Sequence, residues 1–102
     1  MILVRMVFQV EWGKAQEAVQ GFAHAAELFH RIAGSAVHHR ILTDLSGPFN
    51  TVVQEIEVES LAEWERVRAA LFSAPEFQER MASQPMPVVS GSQEFYTIEA
   101  TL

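Results

Sequence analysis

Glu55 and Glu57 stand two residues apart in the run Thr51-Val-Val-Gln-Glu-Ile-Glu-Val58. On an extended chain both project to the same side. Two carboxylates sharing a site raise the pKa of one of them, and a nearby guanidinium lowers it. Arg5, Arg40 and His38 are the cations that such a pair could meet. A cluster of this kind could take a proton from an aromatic or polyketide-like substrate. Glu55, Glu57 and His38 are then the catalytic candidates, and Arg5, Gln9, Arg40, Val53 and Phe95 the ligand-binding set. The alternative is that the glutamates pair with the arginines across a subunit contact and do no chemistry.

Other chemistries find little support. His38 and His39 are adjacent, so on a strand they point to opposite faces and cannot chelate together. His24 and His30 are six apart and share no clean helix face. No metal site and no cofactor are expected. There is no cysteine, hence no disulfide, thiol nucleophile or thiolate metal site. No Gly-x-Ser-x-Gly elbow and no Gly-rich phosphate loop occur. The net charge of −6, with Lys14 the single lysine and six scattered arginines, argues against nucleic acid and anionic membranes. No apolar run approaches the ~20 residues that span a bilayer. Arg5, Gln9 and Glu11 interrupt the apolar N-terminus, which reads as a strand rather than a signal peptide. A cytoplasmic location is expected.

The elements that must hold the candidates form one domain over residues 1–102. In the first strand, Ile2, Val4, Met6, Phe8 and Val10 make an apolar face, with Leu3, Arg5, Val7, Gln9 and Glu11 opposite. Lys14 to Ala33 predicts a helix with Ala15, Ala18, Val19, Phe22, Ala26, Phe29 and Ile32 as its buried stripe. Gly34 follows as a left-handed cap, and His24 sits one turn from Glu27 as a solvated pair. Ala36 to Thr43 is a second strand, with Val37, His39 and Ile41 toward the helices and His38, Arg40 and Leu42 away from them. A one-residue slip would exchange the two sets.

Asn50 to Glu59 is the third strand, after a loop too long to fix the register. Ser60 and Glu63 form a capping box opening a helix to about Phe72, with Leu61, Trp64, Val67, Leu71 and Phe72 inward. Trp64 reads as core, and Trp12, at the end of the first strand, as a cap on the core. Ser73 and Glu76 predict a second capping box, with Pro75 at the first position of a short helix. Val88 to Leu102 is the last strand, with Val89, Gly91, Gln93, Phe95, Thr97 and Glu99 on one face and Gly91 a possible bulge.

The order β-α-β-β-α-β is the ferredoxin-like split arrangement, an α+β fold with a four-stranded antiparallel sheet and helices on one face. The other face would carry Leu3, Val7, Val53, Val89 and Phe95 beside Arg5, Gln9, Glu55 and Glu57. Each such apolar side chain gains roughly 1.5–3 kcal/mol on full burial. A second copy packed sheet to sheet would cover them, and the charges suggest a partly wet cavity between the sheets.

The Asp44-Leu-Ser-Gly-Pro-Phe-Asn-Thr-Val-Val53 run, the Ser73-Ala-Pro-Glu-Phe77 step and the closing Gly91-Ser-Gln-Glu-Phe-Tyr96 strand resemble the dimeric α+β barrel superfamily. Within it the chain is most similar to small bacterial NIPSNAP-like proteins. The resemblance implies a homodimer and covers nearly the whole chain. The superfamily includes antibiotic-biosynthesis monooxygenases without cofactor, haem-degrading enzymes, ligand-sensing modules and members with no assigned role. In the haem-degrading and monooxygenase branches a histidine typically stands on the helix turns before the Ser-Ala-Pro-Glu step. Here Arg66-Val-Arg-Ala-Ala-Leu-Phe72 has none, so a haem would lack its axial ligand. Three readings follow: a dimer binding a small apolar or aromatic molecule, a cofactor-independent monooxygenase or isomerase-like enzyme, and a structural dimer without ligand.

Overall fold

A computed structural model describes residues 1–34 and 38–102. The elements are β1 (Ile2–Val10), α1 (Ala15–Ala33), β2 (His39–Thr43), β3 (Thr51–Val58), α2 (Leu61–Ser73), α3 (Pro75–Ser83) and β4 (Val88–Thr97). The strands form one antiparallel sheet in the order β2-β3-β1-β4, which is the expected ferredoxin-like α+β arrangement. The expected start of β2 at Ala36 and the inward placement of Val37 fall outside the described residues.

The period-two pattern of β1 and β3 decides which side the helices cover. Val4 and Val52 are fully buried and Ile56 and Val58 nearly so. They meet Phe22 and Phe29 of α1 and Trp64 and Val67 of α2 in two adjoining clusters. β-Branched residues suit this pleated surface. Leu28 and Gly21 of α1 are buried as well, beyond the predicted stripe. Gly21 is closely packed: a Cβ there would run into the flexible Met86 thioether.

The loop between β2 and β3 sets the register that its length left open. The Thr51 amide donates to the Asp44 carboxylate at 2.9 Å, and the Asp44 amide to the Thr51 carbonyl at 3.3 Å. Arg40 therefore lies opposite Glu55, and His39 opposite Ile56. His39 is turned to the helices and His38 away from them, as expected.

Several expectations need correction. Directly opposed residues share a face, and β4 pairs with Phe95 opposite Val4 and Glu94 opposite Arg5. Phe95, with Gly91, Gln93 and Thr97, is therefore on the helix side. The Phe95 ring meets Trp64 edge-on at 6.5 Å. The register shifts between Gln9 and Val10, so the irregularity falls at Val89 rather than Gly91. Gly91 serves another purpose, since a Cβ there would come within 2.9 Å of the Phe8 ring. β4 ends at Thr97, short of Leu102. The Ser60 hydroxyl accepts from the Glu63 amide at 3.1 Å, but the Glu63 carboxylate turns to Arg66 instead of closing the box. Ser73 belongs to α2, and Ala74 caps α3 with no side-chain bond. Trp12 is exposed, edge-on to Phe49.

The molecule measures 35 × 35 × 18 Å. Its thin dimension is that of one sheet under one layer of helices, so among the described residues nothing covers the second sheet face. None of the helices, over the described residues, is long and apolar enough to cross a membrane.

Candidate functional site

The two faces of the sheet hold two different collections of side chains. On the open face, Arg5 lies between Glu55 at 3.4 Å and Glu94 at 3.5 Å. Arg40 also binds Glu55, and His38 Nδ1 lies 3.2 Å from Glu57. Tyr96 donates to Glu94 at 2.6 Å. That bond to a carboxylate raises the Tyr96 pKa above 10. Gln9 donates to the Thr51 hydroxyl at 3.1 Å. Val53 is buried opposite both Val7 and Leu42. The structure brings Arg5, Arg40 and Glu55 together, keeps Gln9 with Thr51 and His38 with Glu57 as separate pairs on the same face as Val53, and leaves Phe95 on the opposite side. The oxygens of Glu55 are already engaged by two guanidinium groups.

The cavity lies on the helix side. It has a volume of about 510 Å³ and lies open to solvent between the sheet, the three helices and the Pro85–Met86 segment. Gly21, Phe22 and Leu28 of α1, Trp64 and Phe72 of α2, and Phe77 and Met81 of α3 form its helical walls. Met6, Phe8 and Ile56 make its floor. α3 contributes no fully buried residue. It is tied to α1 by Glu76, which accepts from Arg31 at 3.1 Å and lies 3.9 Å from His24. His24 thus meets α3 rather than Glu27.

Few polar groups enter this space. Gln54 interrupts the apolar series Val52, Ile56, Val58 and is the buried polar residue among those described. Its side-chain oxygen lies 2.8 Å from His39 Nε2. The other ring nitrogen, Nδ1, is buried with no hydrogen-bond partner. The ring leans on Phe29 and lies 5.5 Å from His30. Burial holds the His39 imidazole below its ordinary value of 6.5, the bond to Gln54 opposes this, and His30 adds to the depression. A neutral imidazole offers one donor and one acceptor. The neutral His39 with Nε2 donating to Gln54 leaves Nδ1 as an unused base. Arg68 and Arg80 complete the polar lining with His24 and Gln93.

Sequence reasoning passed over Gln54, Arg68, Arg80 and the cavity role of His39. The signal for Gln54 was present: one amide on an otherwise apolar strand face, with a histidine facing the same helices from the adjacent strand. The stretch of α2 bordering the cavity carries Arg68 and no histidine; the histidines lining the cavity are His24, 3.9 Å from Glu76, and His39, whose Nε2 is taken by Gln54. Among the described residues no group of three His, Asp or Glu side chains could hold a metal ion.

No family model and no curated protein matches the chain. Solved structures do. A NIPSNAP-like domain protein from Burkholderia xenovorans shares 23% identity over 99% of this chain and 88% of its own, with a TM-score of 0.79. SnoaB, a cofactor-independent oxygenase from Streptomyces nogalater, shares 21% over 99% and 95%, with a TM-score of 0.74. MhuD, solved with two manganese protoporphyrin IX bound per active site, shares 16% over 100% and 98%, with a TM-score of 0.73. This chain has their fold. The matches bear out the expected ferredoxin-like α+β architecture.

Proposed function

We propose that the chain binds a flat apolar or aromatic small molecule in the helix-side cavity, not on the open sheet face. The observation that carries this is a chamber of about 510 Å³ walled by aromatic and thioether side chains with a few fixed polar groups. Ligand sites of roughly 300–1,000 Å³ have this make-up. Titration with anthraquinone, followed by thermal unfolding, tests it. A ligand at about 100 times its Kd stabilises by roughly 2.7 kcal/mol, so a clear rise in Tm is expected. Ala26→Trp, which places an indole in the cavity, should fold and show no rise. Equal rises in both proteins would move the site elsewhere.

The open face supports self-association. Leu3, Val7 and Leu42 are only partly covered there, and the charges around them are internally paired. A second copy laid sheet to sheet would bury the apolar centre without stranding an unpaired charge.

A second reading, a cofactor-independent oxygenase, is favoured by the His39–Gln54 pair. An imidazole whose pKa is lowered by burial at the wall of the chamber suits proton abstraction from an acidic CH2 group of an aromatic substrate. Addition of O2 to the carbanion, then loss of water, would convert that CH2 to a carbonyl. Oxygen uptake with anthrone should exceed the buffer rate and fall in His39→Leu; uptake no faster than in buffer would remove this reading.

A further inference from the structure

The chain has thirteen acidic and seven basic residues, so every cation has carboxylates to spare. Five of the seven are paired: Lys14 with Glu17, Arg5 with Glu55 and Glu94, Arg31 with Glu76, Arg40 with Glu55, and Arg66 with Glu63. The two cations with no carboxylate partner among the described residues are Arg68 and Arg80, and both line the cavity. Each has a suitable acidic neighbour on its own helix. Glu65 precedes Arg68 by three residues and Glu76 precedes Arg80 by four, the spacings at which helical ion pairs form. Neither pair is made. Glu76 is turned to Arg31 and His24 on α1. The Arg68 guanidinium instead lies 5.1 Å from the centre of the Phe72 ring, another cavity residue.

We infer that the molecule bound in this cavity carries a carboxylate, which Arg68 and Arg80 receive at the solvent side while its apolar body lies against Phe8, Phe22 and Trp64. Planar guanidinium groups match a carboxylate with two parallel N–H donors, and they stack on aromatic faces. Arg68 is exposed and Arg80 half-buried, which places the charge where the ligand's acidic end stays near water and its ring system does not. The interior polar group Gln54, its side-chain oxygen held by His39, keeps an amide N–H suited to a neutral oxygen at the far end.

The inference rests on the cavity reading, and one experiment separates them. Anthraquinone-2-carboxylate and its uncharged carboxamide are titrated calorimetrically into the wild type, Arg68→Gln, Arg80→Gln and the control Arg66→Gln. The acid is expected to bind roughly 10- to 100-fold tighter than the amide, the range that charge-assisted hydrogen bonds supply. Each cavity substitution should remove much of that preference without weakening the amide, and Arg66→Gln should keep it. Added salt should reduce the preference. Equal binding of acid and amide by the wild type would overturn the inference and leave the cavity reading standing. So would a preference reduced equally by Arg66→Gln, since net charge would then explain it. Binding of neither compound would remove both. Arg68→Lys and Arg80→Lys keep the charge and should retain part of the preference, which guards against a fold defect in the Gln variants.

Discussion

The two faces of this sheet treat charge in opposite ways. On the open face Arg5, Arg40, Glu55, Glu94, His38 and Glu57 form a closed set of pairs around Val7 and Val53. On the helix side a hollow is left among aromatic rings, with an imidazole nitrogen and two guanidinium groups lacking partners. A face whose charges are satisfied among themselves is suited to being covered. A face whose polar groups are unsatisfied is suited to receiving something. The difference teaches that a cluster of charges is not a site merely because it is dense; what counts is the bonding capacity left over.

That contrast can be broken in four ways. Trp64→Ala removes the ring that joins Phe29 and Phe95 over the cavity wall, and it should cost about 3–5 kcal/mol in urea unfolding. A loss under 1 kcal/mol would mean that the helix side is not the packed one. Leu42→Asp puts a charge beside Val53 on the open face. Light scattering should show the wild type at twice the 11.5 kDa chain mass and the variant at the chain mass; a monomeric wild type would refute the sheet-to-sheet dimer. Glu55→Gln loosens the open-face network and should cost roughly 1 kcal/mol or less, shrinking with salt. It should leave cavity binding unchanged, and a lost ligand shift would return the site to the open face.

The smallest effect concerns His39. Its pKa is depressed in the folded state, so below its ordinary value the unfolded chain takes up the proton more readily. The stability tied to this residue is present above pH 6.5 and lost as the pH falls toward the depressed value. Thermal unfolding from pH 8 to pH 5 should show a shallower decline in His39→Gln than in the wild type, and parallel curves would contradict the burial of that ring.

The sequence carried the strand and helix order because β1, β3 and α1 have strong periodicities, and it placed His38 and His39 on their correct faces. β4 defeated it. Ser90, Ser92 and Glu94 alternate with Gly91, Gln93 and Phe95, so neither set is clearly apolar. The register, with its shift at Val89, put Phe95 against Trp64. Glu55 and Glu57 attracted notice because two carboxylates at a spacing of two are visible in one dimension. Arg68 and Arg80 did not, because the absence of a partner is a property of three dimensions alone. A hollow likewise leaves no periodic trace: it depends on α3 bridging to α1 through Glu76 and on which ring tips reach inward.

Gly21 has a consequence for what the chamber can admit. The space that a side chain would fill on that turn of α1 is filled by the Met86 thioether, which also lines the chamber. Even a single methyl at position 21 must displace that flexible sulfur, and larger groups must displace it further. Residue 21 therefore acts as a volume dial, and graded substitution there offers a route to retuning which guests are accepted without touching the sheet, the arginines or the imidazole.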